Sequence, residues 1–306
     1  MTQNSDSLTP RAAVITTDAE AIAAAQHLAE QALSGAVERD QQRIYPRELL
    51  NQFTQLGLGS ISVPREFGGG GLSFQTVAEV FRVISASDPS LGQIPQNHFG
   101  LIQFILGEGS AVQQQFLLSK VVQGQRLGNG GPEKNTQHTR DVQAQLVTTS
   151  QGLQLTGEKF YSTGALFADV LATTAFHAEQ PVMAFIPLPD EGVEIIDDWS
   201  GIGQRTTASG TVKLQQVTVD AALTMPLPAA DKPTLRGAVS QLIQAAIDAG
   251  IAQGALDEAL AFVRSSSRPW VDAGVSRNAD DPYILADVGR ISTELSAANA
   301  LLARAA

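Results

Sequence analysis

The sequence predicts an α+β protein with helices first, a β-domain in the middle and helices again at the end. Three observations predict this order. Apolar residues recur at helical spacing from Thr17 to about Val122, and short runs then alternate with period two as far as about Leu227. Helical spacing returns from Leu235 onward. Since helices and strands are segregated along the chain, we expect segregated layers, and a Rossmann-type parallel sheet is disfavoured.

The predicted domains follow these changes of periodicity. We expect an N-terminal α-helical domain over residues 1–127, a middle β-barrel or sandwich domain over residues 128–228, and a C-terminal helical-bundle domain over residues 229–306. The segment Met225–Pro233 contains three prolines and is expected to be a linker.

Capping residues predict where the N-terminal helices begin. Thr17 and Glu20 form a capping box, and Pro46 stands where a first helical residue is expected. Ser73 and Ser110 are expected to cap two further helices.

Period-two alternation predicts six strands in the middle of the chain. They are Gln145–Thr149, Leu153–Phe160, Val170–Phe176, Val182–Ile186, Val193–Ile196 and Thr211–Val219.

Two helices are predicted at the end of the chain. Leu235–Arg264 is long enough for a helix of roughly 45 Å, and Asp281 with Pro282 begins another. The second helix is still in register at Ala306, so we expect an incomplete bundle whose apolar stripe needs a covering partner.

The composition excludes several classes of function. The 306 residues are 43% hydrophobic, which supports a sizeable core, and the net charge of −11 argues against nucleic acid as a partner. The absence of cysteine excludes disulfides and iron–sulfur clusters, so redox chemistry would need a bound cofactor, and it favours the cytoplasm. Neither a secretory signal nor a membrane span is visible.

The candidate site residues have two interpretations each by local sequence alone. The four histidines lack metal-binding spacing, so no metal site is expected, and His98 after the Asp88–Ser90 turn is either structural or functional. Ser162 and Thr163 follow a strand and either cap a turn or contact a ligand. Arg264 and Arg268 either complement a helix dipole or bind a phosphate.

Five segments in this order resemble the acyl-CoA dehydrogenase superfamily over almost the whole chain. They are ELLNQFTQLGLGSISVPREFGGGGLS (Glu48–Ser73), SASDPSLGQIPQNH (Ser85–His98), GEKFYSTGALFAD (Gly157–Asp169), DDWSGIGQRTTASGTV (Asp197–Val212) and AFVRSSSRPW (Ala261–Trp270). The third and fourth resemble the narrower branch of dibenzothiophene monooxygenase and the sulfur-acquisition oxidoreductases.

The resemblance implies a flavin-dependent monooxygenase of small organosulfur compounds. It implies reduced FMN, delivered by a separate NAD(P)H:flavin reductase and reacting with O2 through a flavin hydroperoxide, and a homo-oligomer that is a tetramer in the family. Dehydrogenase relatives instead hold FAD and oxidise an acyl thioester. The place where some of them carry the catalytic Glu is Ser240 here, in a run without any acid.

The resemblance also assigns roles to individual residues. It implies that Asn129, Tyr161, Ser162 and Thr163 line the flavin ring and that Arg264 and Arg268 reach its phosphate end. It further implies that His98, Ser209 and Asn129 act at the reactive edge, with Phe99 and Trp199 as walls of the substrate pocket. An FAD-dependent acyl-CoA dehydrogenase and a truncated, inactive fragment stay open as alternatives.

Overall fold

The computed structural model describes residues 12–138, 141–229 and 232–306, and within them the chain forms nine α-helices and eight β-strands. Seven helices come first: α1 Asp18–Leu33, α2 Ala36–Gln42, α3 Arg47–Gln55, α4 Phe74–Ser87, α5 Pro89–Gln93, α6 Gln96–Glu108 and α7 Ala111–Val122. The strands follow: β1 Leu127–Gly130, β2 Gln145–Thr149, β3 Gly152–Lys159, β4 Val170–His177, β5 Gln180–Pro187, β6 Val193–Ile196, β7 Thr211–Val219 and β8 Thr224–Pro226. The last two helices are α8 Leu235–Ser265 and α9 Pro282–Ala305.

Most predicted helix starts are confirmed by the hydrogen bonds of their caps. Thr17 and Ser110 each close a capping box, and the Ser73 side chain accepts from the Thr76 amide. Asp281 caps α9 with Pro282 at its first position. Pro46 is the N-cap of α3 and not its first residue, so α3 begins one position later than predicted.

The β-domain is an open sheet, so the prediction of a closed barrel is wrong. Its strand order is β6-β7-β3-β2-β4-β5-β8, and β1 pairs in parallel with β4 outside this path. Closure would require β6 to pair with β8, and no such pairing exists among the described strands. Period-two alternation predicts the strands, but it does not predict whether the two end strands meet.

The two faces of the sheet belong to different cores. Alternate residues of a strand point to opposite faces. Val170, Ala172 and Phe185 pack with α6 and α7, whereas Leu171 and Ala184 pack with residues of β3 and β7 on the other face. The first of these faces connects the sheet to the N-terminal helices.

Helix α8 packs directly on the backbone of α4. A Cβ at Gly250 would lie 2.3 Å from the Arg82 carbonyl oxygen, and one at Gly254 would lie 2.2 Å from that of Ala86. On α9, Leu295 is buried and Leu302 packs against the helical core, while Leu285 and Leu301 are exposed. The apolar stripe of α9 is therefore only partly covered. The predicted boundaries between the three domains stay a prediction.

Several short elements were not predicted. Asp88 accepts a hydrogen bond from Leu91 N and caps α5, so the expected turn at Asp88–Ser90 is the start of a helix, and His98 lies within α6. The glycine-rich segment that starts at Leu127 is strand β1, and the expected linker begins with strand β8.

Among the described helices, none is long and apolar enough to cross a membrane.

Candidate functional site

Three hydroxyl groups form a chain beside the turn that follows β3. Thr163 Oγ1 lies 2.6 Å from Ser209 Oγ, which lies 2.9 Å from Thr207 Oγ1. Thr207 Oγ1 in turn donates to the carbonyl oxygen of Gln204 at 3.2 Å. Ser209 and Thr207 are buried, so their hydroxyl groups depend on these bonds for satisfaction.

The Gln204 carbonyl at the end of this series of hydrogen bonds fixes the direction of each hydroxyl proton. A carbonyl only accepts, so the Thr207 proton points to Gln204, and the Ser209 proton must then point to Thr207. Thr163 therefore donates its single proton to Ser209 and offers only lone pairs to any other group. Thr163 is thus prepared to accept a hydrogen bond from a ligand N–H.

The side chain of Trp199 is hydrogen-bonded to the same Gln204 carbonyl. Trp199 Nε1 donates to the Gln204 carbonyl at 2.9 Å, and the Tyr161 ring meets the Trp199 ring edge-on with centroids 5.6 Å apart. Tyr161 has φ of 50° and is half exposed. The loop at Gln204 therefore positions both the hydroxyl chain and the Trp199 side chain.

Two polar side chains at this place have no partner among the described residues. Ser162 Oγ is buried without a hydrogen bond. The Asn129 side chain on β1 makes no hydrogen bond to a described residue, although its backbone N–H donates to the Thr163 carbonyl at 3.4 Å. Gly128 lets β1 approach this turn, since a Cβ there would lie 2.9 Å from Ala165 Cα.

These groups suit the edge of a flavin ring, which carries both hydrogen-bond donors and acceptors. Unbonded buried polar groups cost free energy unless a ligand or water satisfies them. Ser162 can donate or accept, Asn129 can do both, and Thr163 accepts. The residues present therefore fit the implied cofactor.

His98 is buried with both ring nitrogens bonded to the backbone. Nε2 donates to the Gly59 carbonyl at 2.8 Å, and Nδ1 accepts from Leu127 N–H at 3.0 Å. Burial lowers the pKa of His98 to about 4, so the ring is neutral at pH 7. In this arrangement His98 joins α6 to β1 two residues before Asn129 and has no free nitrogen.

The other predicted residues are not brought to this cluster. Phe99 is fully buried in the helical core against Phe81, so a role as a pocket wall would require it to move. Arg264 and Arg268 are exposed at and beyond the end of α8. Their predicted contact with a cofactor phosphate stays a prediction.

Sequence reasoning missed Thr207 and Gln204. Both lie inside the quoted Asp197–Val212 motif, so the signal was present, but their role depends on a turn that places Thr207 beside Ser209. Within the described residues no group of three or more metal-ligating side chains is found.

The Ser240 region offers no general base. The Ser240 carbonyl accepts from Gln96 Nε2 at 3.0 Å, and the nearest acid on α8, Asp248, accepts from Gln244. The acid expected in some dehydrogenases is thus absent from this face of α8.

Comparisons with known proteins show the family of this chain. Residues 17–125 match the family model described as acyl-CoA dehydrogenase, N-terminal domain, and residues 242–306 match that of the C-terminal domain. Dibenzothiophene monooxygenase of Rhodococcus erythropolis is 32% identical over 304 residues, covering 94% of this chain and 73% of the relative. The "Probable FMNH2-dependent monooxygenase SfnC" of Pseudomonas putida is 30% identical, covering 94% of this chain and 73% of that protein.

One solved structure is similar over most of both chains. FMN-bound TdsC from Paenibacillus sp. A11-2 superimposes with a TM-score of 0.83 at 28% identity, covering 93% of this chain and 76% of that one.

Proposed function

This chain belongs to the acyl-CoA dehydrogenase superfamily, in the branch of dibenzothiophene monooxygenase, and from that premise we propose that it is a reduced-flavin monooxygenase of organosulfur compounds. The observation that carries the proposal is the oriented hydroxyl chain of Thr163, Ser209 and Thr207 beside the unbonded Ser162. The name of the Pseudomonas putida relative and the FMN-bound neighbour support FMN as the cofactor, and the name of the Rhodococcus relative supports an organosulfur substrate.

Bound reduced FMN would supply the two electrons with which one oxygen atom of O2 leaves as water while the other enters the substrate. Asn129, Tyr161, Ser162 and Thr163 would hold the ring. Thr163 would accept a hydrogen bond from a ring N–H, because its own proton is already donated to Ser209. Such fixed hydrogen bonds require no reorganisation during the reaction.

The surrounding residues would exclude water and keep this edge rigid. The Trp199 ring is held at the Gln204 carbonyl and contacts the Tyr161 ring, and Ser209 is fixed by hydrogen bonds on both sides. His98 positions β1 and so Asn129, and the predicted transfer of a proton by His98 requires one of its two backbone bonds to open. A dry site strengthens each of these polar contacts.

The partners in this proposal are a small organosulfur substrate, O2 and an NAD(P)H:flavin reductase. Arg264 and Arg268 would reach the FMN phosphate, and the tetramer and the cytoplasm are proposed along with the family. FAD in place of FMN belongs to the dehydrogenase alternative, and the lack of an acid at Ser240 favours the monooxygenase.

The test is an assay of the purified chain with FMN, NADH, a flavin reductase, O2 and dibenzothiophene. We expect sulfoxide or sulfone by mass spectrometry. Failure to bind reduced FMN would sink the proposal, and bleaching of bound FAD by an acyl-CoA would favour the dehydrogenase.

Variants of the hydroxyl chain sharpen the assay. Thr163→Val removes one hydrogen bond to the ring and should weaken reduced-FMN affinity by roughly 2- to 10-fold, the range of one net hydrogen bond. Thr218→Val, at an exposed position of β7, is the matched control and should leave the affinity unchanged. If Thr163→Val and Thr218→Val bound reduced FMN equally well, Thr163 would not contact the flavin.

A further inference from the structure

Lys159, the last residue of β3, has a fully buried side chain that forms an ion pair with Glu133. Its Nζ lies 2.5 Å from Glu133 Oε1 and donates to Thr174 Oγ1 at 3.2 Å. The Lys159 side chain is 0% exposed and the Glu133 side chain 4% exposed. Burial lowers the pKa of Lys159, and the hydrogen bond and charge of Glu133 act in the opposite direction. Among the ion pairs of the described residues, this one is the most deeply buried.

Stability alone does not explain a buried ion pair. Removing a carboxylate and an ammonium from water costs about as much free energy as their attraction returns, and apolar side chains of similar volume often stabilise a protein at least as well. A buried pair does fix geometry, because neither group can slide past the other without leaving a charge unpaired in the interior. The question is therefore which segments the Lys159–Glu133 pair holds in place.

Glu133 holds its own segment through the backbone as well as through Lys159. Its carboxylate accepts from the N–H of Gln143 at 2.7 Å and from the N–H of Ala144 at 3.1 Å. The carboxylate thus joins the end of β3 to the residues that precede β2.

The residues just before Glu133 are fastened to the same two strands. Thr174 Oγ1 on β4, which accepts from Lys159, donates to the Gly131 carbonyl at 3.1 Å. The Phe160 N–H, next to Lys159, donates to the Pro132 carbonyl at 2.8 Å. The ion pair and these two bonds form one connected group at the point where the chain leaves β1.

This group lies between the two segments that are proposed to line the flavin ring. Asn129 on β1 precedes Glu133 by four positions, and the turn Tyr161–Thr163 begins two positions after Lys159. The backbone of Asn129 reaches this turn through its N–H, which lies 3.4 Å from the Thr163 carbonyl oxygen. A hydrogen bond of this length is weak, so it does not by itself fix the distance between the two segments.

From this placement we propose that the Lys159–Glu133 ion pair positions the flavin site by fixing Asn129 relative to the turn Tyr161–Thr163. The proposal rests on the proposed monooxygenase function. Lys159 and Glu133 are positioning residues, because both are bonded to protein groups and act on the ring only through the backbone. Polar groups that bind a ligand need such support, since small displacements weaken each hydrogen bond.

The experiment compares the unaltered chain with the double variant Glu133→Gln/Lys159→Met. This variant removes both charges together at similar volume, so no buried charge is left unpaired and the fold should persist, with a melting temperature within about 5 °C. We expect its affinity for reduced FMN, measured anaerobically by calorimetry, to fall by about 10-fold, the effect of one to two net hydrogen bonds. Hydrogen exchange of the Phe160 amide should be faster in the flavin-free variant.

The matched control is Glu79→Gln/Arg82→Met, which removes an ion pair of 2.6 Å within α4. Its affinity for reduced FMN and its exchange at Phe160 should equal those of the unaltered chain. Glu133→Asp keeps the charge but shortens the side chain by one methylene group, so we expect an affinity between those of the double variant and the unaltered chain.

Three results would overturn the inference. The first is an unchanged affinity for reduced FMN in the folded double variant, and the second is an equal loss in the α4 control. The third is unchanged exchange at Phe160, which is measured without flavin. If the double variant does not fold, Glu133→Asp decides, and an affinity equal to that of the unaltered chain contradicts the inference. Failure of the unaltered chain to bind reduced FMN contradicts the proposed function instead.

Discussion

Helix α6 packs against β1 on one face and against α8 on another, and a histidine or arginine side chain lies at each contact. His98 belongs to α6 itself, whereas Arg236 belongs to α8. On the face toward β1, His98 is buried, neutral and bonded at both nitrogens. On the face toward α8, Arg236 lies over Phe104 beside Gly100, with no bonded partner in the described chain. On the first face every polar ring atom of His98 is hydrogen-bonded, whereas on the second the Arg236 guanidinium has no bonded partner among the described residues.

The difference shows why residue type alone does not identify a functional group. A histidine beside a glycine-rich strand resembles a catalytic residue, yet the backbone already uses its donor and its acceptor. A group that is buried and unsatisfied, such as Ser162 Oγ, is a better indication of a binding site.

The largest loss of stability is expected from removing the two hydrogen bonds of the His98 ring. His98→Leu leaves Gly59 C=O and Leu127 N–H buried without partners, and each costs about 1 to 3 kcal/mol, so we expect a loss of about 2 to 6 kcal/mol in the free energy of unfolding. Urea denaturation measures it. His27→Ala, at an exposed position, is the control and should change stability by less than about 0.5 kcal/mol. A small loss in His98→Leu would mean that this face is not saturated as described.

Lowering the pH should reduce the free energy of unfolding through His98. The folded pKa of His98 is about 4, below the ordinary value of 6.5, so the unfolded chain takes up the proton first as pH falls. This contribution to stability is complete above pH 6.5 and is lost between pH 6.5 and 4, by at most about 3 kcal/mol. Denaturation curves at pH 7, 5.5 and 4.5 measure it, and His98→Leu should show a shallower dependence on pH. Parallel curves for the two proteins would contradict the assignment.

Two glycines at the contacts of α8 with α4 and with α6 sharpen the contrast between tight and open packing. Gly250→Ala directs a Cβ at the Arg82 carbonyl oxygen, which belongs to the backbone of α4, and should destabilise by about 1 to 3 kcal/mol. Gly100→Ala meets only the movable Ser240 hydroxyl, and the gain in helix propensity offsets the contact, so we expect a change within about 1 kcal/mol. Thermal unfolding compares them. Equal losses would show that the α6–α8 face is as tightly packed as the α4–α8 face.

The smallest change in stability is expected at the end of α8. Arg264→Ala and Arg268→Ala remove exposed side chains, so the free energy of unfolding should change by less than about 0.5 kcal/mol. If they bind the phosphate end as predicted, FMN affinity should fall by roughly 10-fold while riboflavin affinity stays constant. Arg304→Ala, exposed on α9, is the control. An equal decrease for both flavins would contradict the phosphate contact.

Much of the fold was predictable because it depends on local signals. The caps at Thr17, Ser73 and Ser110 were confirmed, as were the strands Gln145–Thr149 and Thr211–Val219. The short helix α5 and strand β1 were missed because five or fewer residues carry little periodicity. Of the predicted β-barrel or sandwich, the closed barrel is wrong, because strand patterns do not show whether the two end strands pair.

The candidate site was predictable only as a set of motifs. Thr163 and Ser209 both lie in quoted segments, 46 positions apart, and their contact depends on how β3 and β7 pair. Arg236 lies in no quoted segment, and unlike Arg39, which pairs with Asp88, it makes no ion pair among the described residues.

By itself the sequence determined the order of helices and strands, the superfamily and the absence of an acid near Ser240, because periodicity, caps and motifs are local. Only the tertiary structure decided that His98 is bonded on both sides, that the hydroxyl protons point away from Thr163, and that Arg236 lies over the Phe104 ring without an ion pair among the described residues. These are properties of distances between remote segments. Burial and hydrogen-bond satisfaction arise only when α6, α8 and the sheet pack together.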